Sequence, residues 1–302
     1  MRRTSILTAV ALLLGLASTS LANEPYVRFK SANARDAALQ TAVGTFANKD
    51  SQVEITLYGV VHIADKTYYD AVQRDLDGFD VVLYEGVAPG KEQPTAADKS
   101  LGEMQKLMGE MLGLTFQKDG IDYTRKNLVH ADMNMDQLKQ AMGGATINPL
   151  GQMMSKEQME QMLPMLKTFS QFGKALMQTN PAMRDNFKKM MAGQLGNAKM
   201  DAALGEKAMQ AILIERNKVV MEKLAEQLQK TKKGRIAIFY GAAHNPDFEQ
   251  RLAKLGWTLQ SKRWMSAWTI GKGLGDDETP APAAPAQPES PKTKPESGSR
   301  WF

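Results

Sequence analysis

The sequence predicts an α/β (α+β) protein with a central mixed sheet. The sheet is built from two related strand–helix–strand halves, with a long methionine-rich helical insertion between them. Three observations carry this expectation. Apolar strand patterns followed by amphipathic helices occur near both ends of the core, at 53–84 and 235–270. Each region carries the same element, Tyr-Gly-x-x-His-x-x-Asp, at 58–65 and 240–247. Between them, over 96–230, the pattern turns helical.

The chain opens with Arg2 and Arg3, an apolar run from Ile6 to Ala17, then Ser20-Leu21-Ala22. That is the layout of a secretory signal, assigned to 1–22, and the run is short for a membrane span. An uncleaved anchor is the alternative. The expectation is an exported protein, periplasmic or secreted, with no stable transmembrane span after cleavage.

The core, 23–275, begins with a hairpin. Ala37–Phe46 and Val53–Val61 flank the turn signal Asn48-Lys49-Asp50, and the second strand ends at His62. Asp65 stands at a helix N-cap, and Tyr68, Tyr69, Val72 and Leu76 follow at helical spacing up to Gly78. Phe79–Tyr84 reads as a buried strand ending at Glu85-Gly86. A strand–helix–strand unit of this kind puts its two strands parallel.

In the middle segment Ser155-Lys156-Glu157-Gln158 has the form of a capping box, and Asn180-Pro181 of a helix start. Ala208–Gln229 reads as one long helix. Arg235–Tyr240 is again a buried strand. Asp247 is expected to cap a helix through Phe248 and Leu252, stopped by Gly256, and Trp257–Ile270 supplies one or two last strands. The tail, 276–302, holds six of the thirteen prolines and little apolar bulk, the composition of a disordered segment.

Composition removes several function classes. A net charge of +5 with no Lys/Arg run interleaved with aromatics gives no nucleic-acid signature. The absence of cysteine excludes disulfides, thiolate metal sites and a cysteine nucleophile. Eighteen of the twenty methionines lie between Met104 and Met221. Met104, Met108 and Met111 share a helical face, as do Met159, Met162 and Met165. An adaptable apolar face that packs or grips a flexible partner accounts for them better than thioether metal ligation does.

The chain has three histidines, and two of them, His62 and His244, sit in the repeated element. In sheets with parallel strands, ligands bind beyond the carboxyl ends. His62, Glu85 and His244 each fall at or just past such an end. Two imidazoles and a carboxylate are a common divalent-metal set, and such an ion lowers the pKa of bound water. Gly59 and Gly241 would let backbone turn sharply or approach closely. Asp65 and Asp247, each at a helix start, read as caps rather than ligands. Glu85 abuts a buried strand, where a charge needs a partner. His130, with Arg125 upstream, is either an acid/base group or a packed histidine. Glu215-Arg216-Asn217 is either a solvated face or a means of aiming an arginine at an anionic group.

The residues 57–65, Tyr68-Tyr69 and 79–85 resemble the first signature of the TraB/PrgY/GumN family. Glu215-Arg216-Asn217 and Gly241-Ala242-Ala243-His244 are similar to its second. The family includes the TIKI proteases and is distantly related to the erythromycin esterases and to a haem-binding lipoprotein group. The resemblance spans roughly 37–270, densely at both ends. It implies an exported metal-dependent hydrolase, a peptidase by analogy, with paired histidines His62 and His244, glutamate Glu85 and the step Arg216-Asn217. On that reading His62, Glu85 and His244 bind a divalent metal ion. Arg216 or Arg125 stabilises negative charge, His130 relays a proton, and the partner is a peptide or ester substrate. The competing expectation is a non-catalytic protein that binds haem or metal, or sequesters peptides on its methionine face.

Overall fold

A computed structural model describes residues 25–91, 96–143, 156–197 and 210–274. The signal at 1–22, the tail at 276–302 and Ser155 of the expected capping box lie outside them. The architecture is mixed α/β around one seven-stranded sheet. The hub is β2 (Ala37–Ala47). One of its edges pairs antiparallel with β9 (Thr258–Ile270) along its length; the other is shared by β1 (Val27–Ser31) and β3 (Gln52–Val60). Beyond β3 lie β8 (Lys233–Gly241), β5 (Val81–Tyr84) and β7 (Leu128–His130), all parallel to it. A two-stranded patch joins β4 (Ile63–Ala64) to β6 (Thr115–Phe116).

The expected hairpin is β2–β3. The helix after it is α1 (Lys66–Leu76), which buries Tyr68, Tyr69, Val72 and Leu76, the residues its periodicity marks. The strands flanking α1 are parallel, as a crossover requires, but β8 lies between them. The sheet therefore interleaves the two halves: a strand from the end of the chain separates two from its beginning. The fully buried side chains on its two faces include Ile55, Leu57, Phe239 and Trp268, with Phe248 packed on it from the last helix. Burial of each such side chain contributes about 1.5–3 kcal/mol.

The middle segment departs from an all-helical insertion. It contains α2 (Ala96–Leu112), α3 (Gln117–Gly120), α4 (Met135–Ala141), α5 (Lys156–Thr179), α6 (Pro181–Asn197) and α7 (Arg216–Lys230). It also contributes β7, a full member of the central sheet. Three residues give too short an apolar run to signal a strand; the open edge of β5 supplies the pairing. Asn180 caps α6 through its side chain as expected, accepting from the Met183 N–H. Among the described residues of the expected long helix, Gln210–Glu215 form a π-helical turn immediately before Arg216. Met104, Met108 and Met111 are half-buried on α2, whereas Met165 on α5 is 74% exposed. The side chains of Met159 and Met162 lie outside the described residues.

The final helix is α8 (Asn245–Lys254), and Trp257–Ile270 resolves into the single strand β9. The two copies of the repeated element are staggered in the sheet. Gly59 stands opposite Tyr240, and Tyr58 opposite Phe239. One residue of offset sends equivalent side chains to opposite faces. Tyr58 accordingly points to α1, where its hydroxyl donates to Asp75 at 3.2 Å. Tyr240 points to the other face, against His244 and Phe248 of the α8 region.

Candidate functional site

The carboxyl ends of β5 and β8 form the centre of the site. Glu85 follows β5 and is almost fully buried. Its Oε1 accepts from a terminal nitrogen of Arg216 at 2.7 Å, and its Oε2 from the Gly241 N–H at 2.6 Å. Arg216 also binds Asp132 twice, through Nε at 2.9 Å and Nη2 at 2.6 Å. Asp132 in turn accepts from the N–H groups of Gly86 and Met133. One guanidinium thus neutralises one of two buried carboxylates, and the cluster keeps one net negative charge. Burial opposes ionisation of Glu85, but Arg216 and the two histidines outweigh it and hold its pKa at about 2.

His244 ends the short 3-10 turn after β8 and is 1% exposed. Its Nδ1 lies 2.6 Å from Asn217 Oδ1. The Asn217 Nδ2 donates to the His244 carbonyl at 3.1 Å and to Asp247 Oδ2 at 2.7 Å. Both of those partners only accept, so the Asn217 oxygen must face the ring and Nδ1 must carry the hydrogen. The lone pair of Nε2 is then free. Nε2 is buried without a hydrogen-bond partner among the described residues and lies 3.6 Å from Glu85 Oε1. Burial lowers the His244 pKa to about 4, so the ring is neutral at neutral pH.

These two shifts act in one direction. Folded His244 resists the proton that the unfolded chain accepts near pH 6.5, so stability declines from there down to about pH 4. Glu85, ordinarily near 4.5, withdraws its contribution as pH falls from 4.5 to about 2. The urea midpoint is expected to fall across the upper window. That fall should flatten in His244→Ala; an unchanged slope would contradict the assignment.

His62 leaves β3 at the same edge and is half-buried, with burial as the main cause of its lowered pKa. It is near enough to Glu85 and Arg216 for their charges to bear on it, and to His244 for its own charge to bear there. Gln117, whose side-chain oxygen is buried without a hydrogen-bond partner among the described residues, sits beside it and donates to the Tyr123 hydroxyl at 3.0 Å. His130 ends β7 next to Glu85, with Nε2 at 2.5 Å from the Gly86 carbonyl oxygen. The structure therefore gathers His62, Glu85, His130, Arg216, Asn217 and His244 at one edge.

Several expected roles change. Arg125 is half-exposed, pairs with Asp77 and Asp122, and precedes β7, at the opposite end of the sheet from Glu85. It cannot stabilise charge in this site. Arg216 spends Nε and one terminal nitrogen on Asp132 and Glu85 in a buried position, so it clamps the carboxylates rather than facing a substrate. Asn217 orients His244. Neither repeat aspartate caps with its side chain. Asp65 accepts from Thr269 N at 2.6 Å and from Lys188, and Asp247 accepts from Asn217 and Arg251.

Asp132 was missed as a functional residue. The signal that marks Glu85, an acid abutting a buried strand, is faint here because β7 is only three residues long and ends two residues before Asp132.

Gly59 answers to close approach. A Cβ there would meet Asn245 Nδ2 at 2.9 Å, the Ala42 carbonyl oxygen at 3.1 Å and Ala242 Cβ at 3.2 Å. Gly59→Ala is expected to cost about 1–3 kcal/mol by overpacking, read from urea unfolding; no loss would show that α8 shifts freely. Gly241 brings its N–H onto Glu85 with φ −49°, so no left-handed turn is involved.

A metal ion is implied by the expected histidine–carboxylate set, and the donors can be tested for fit. Two ligand bonds of about 2.1 Å at a tetrahedral angle separate donor atoms by roughly 3.4 Å. The 3.6 Å between His244 Nε2 and Glu85 Oε1 matches that edge. The orphaned nitrogen and the unbalanced negative charge also suit a cation. No group of three or more His, Asp or Glu side chains among the described residues stands close enough together to hold a metal, so His62 is near but not gathered in. No described helix is long and apolar enough to cross a membrane. No family model, curated protein or solved structure matches the chain.

Proposed function

We propose that the chain is an exported hydrolase of peptide or ester bonds, working at the edge formed by Glu85 and His244. One observation carries this reading: the buried, unpartnered Nε2 of His244, its ring fixed from behind and facing an ionised carboxylate at 3.6 Å. A neutral imidazole with a held tautomer is suited to act on a proton or to ligate a metal. The resemblance to the TraB/PrgY/GumN family supports the same class. His244 and Glu85 are placed to hold a divalent ion, which His62 would have to approach more closely to ligate; bound there, it would supply electrophilic polarisation of a carbonyl and acidification of water.

The chain's own residues do the rest. Arg216 keeps Glu85 ionised and fixed, Asp132 and the Gly86 N–H fix Arg216, and Asn217 orients His244. His130, half-buried and held at the Gly86 carbonyl next to Glu85, is placed to exchange a proton.

The test is hydrolysis of a panel of peptides and esters by the purified protein, with and without added Mn²⁺, Co²⁺ or Zn²⁺. Turnover removed by chelation supports the reading in full; no turnover on any member of the panel under either condition defeats it. A peptide-gripping protein is the second reading, favoured by exposed Met165, Phe172 and Leu176 along α5. It predicts peptide binding that survives loss of both His62 and His244.

A further inference from the structure

We infer that Asp247 is a positioning residue of His244, acting through Asn217. Asp247 fixes the carboxamide of Asn217, and that carboxamide holds the imidazole with its hydrogen on Nδ1 and its Nε2 lone pair toward Glu85. This deepens the proposed function and rests on His244 being the reactive histidine.

The chain of contacts is short and directional. Arg251 Nε donates to Asp247 Oδ2 at 2.6 Å. The same oxygen accepts from Asn217 Nδ2 at 2.7 Å, and Asn217 Oδ1 accepts from His244 Nδ1 at 2.6 Å. Asn217 is 0% exposed. A carboxamide on its own can turn over and present NH₂ to the ring, which would put the hydrogen on Nε2 and spoil it as a base or ligand. Asp247, an acceptor only, forbids that turn. The His244 carbonyl reinforces it at a longer 3.1 Å.

The repeat makes the assignment specific to one half. Asp65, the equivalent aspartate, spends its oxygens on Thr269 N and Lys188 Nζ, so it plays no such part for His62, whose neighbouring carboxamide is that of Gln117. The one-residue stagger of the two elements is the physical origin of this difference. Of the two repeat aspartates, Asp247 stands behind its histidine through Asn217 and Asp65 does not.

The experiment is nitrogen-15 NMR of the full chain labelled at histidine, where three residues give three resolvable ring systems. Ring two-bond couplings report which nitrogen bears the hydrogen, without reference to activity. Wild type is expected to show His244 as the Nδ1–H tautomer. Asp247→Ala should convert a substantial fraction to Nε2–H, while Asp247→Asn, which can still present an oxygen to Asn217, should largely restore Nδ1–H. Asp65→Ala should leave the tautomer of His62 unchanged.

His244 as the Nε2–H tautomer in wild type, or as unaltered Nδ1–H in a folded Asp247→Ala, overturns the inference. The wild-type spectrum decides even where a variant fails to fold. If the tautomers behave as stated and no substrate is turned over, the positioning role stands and the hydrolase reading falls.

Discussion

Arg216→Met is expected to lower the unfolding free energy by about 3–5 kcal/mol, the largest stability loss predicted for the chain. Methionine fills much of the arginine's volume, so little of the loss comes from a cavity. It comes from leaving Glu85 and Asp132 buried and facing each other with no cation between them. Several backbone N–H groups still serve the two carboxylates, but dipoles offset only part of a missing full charge. The variant should recover much of its stability in acid, where at least one carboxyl takes a proton. A urea titration at two pH values reads both effects. A loss under 1 kcal/mol would show that water reaches the cluster and screens it.

Glu85→Gln is expected to separate function from folding. The amide oxygen can still accept from the Gly241 N–H, and Arg216 keeps Asp132, so the cost in stability is about 1–2 kcal/mol. The change removes the cluster's unbalanced negative charge and one of the two donor atoms that face each other at 3.6 Å. Turnover should fall by about 10²–10⁴, and calorimetric affinity for divalent ions by at least about tenfold. Arg125→Ala, at the far end of the sheet, should leave both near wild type. Equal activity in Glu85→Gln would remove this carboxylate from the chemistry.

The sequence made β5 and β8 legible by their continuous apolar runs, β3 by its β-branched and aromatic residues, and α1 because Tyr68, Tyr69, Val72 and Leu76 mark one face. The edge on which His62, Glu85 and His244 meet followed from the rule that ligands bind beyond strand carboxyl ends. What lay hidden depends on register and on long-range partners. Nothing local tells that Tyr58 and Tyr240 face opposite ways; that comes from a one-residue offset between strands far apart in the chain. Arg216 and Asn217 read equally well as a solvated step, because their partners Glu85, Asp132, His244 and Asp247 lie elsewhere in sequence. Arg125 was drawn toward the site by nearness to His130 in the chain, while β7 carries the two to opposite ends of a strand. The strand itself escaped notice, since three residues carry too little pattern.

The proposed hydrolytic site makes His244 Nε2 its working atom. That role is tested most directly by comparing turnover of the best substrate found in the panel between wild type, His244→Ala and His62→Ala. A loss of at least about 10² is expected for His244→Ala with the folded state retained, and a smaller loss for His62→Ala. Wild-type turnover in a folded His244→Ala protein would contradict it.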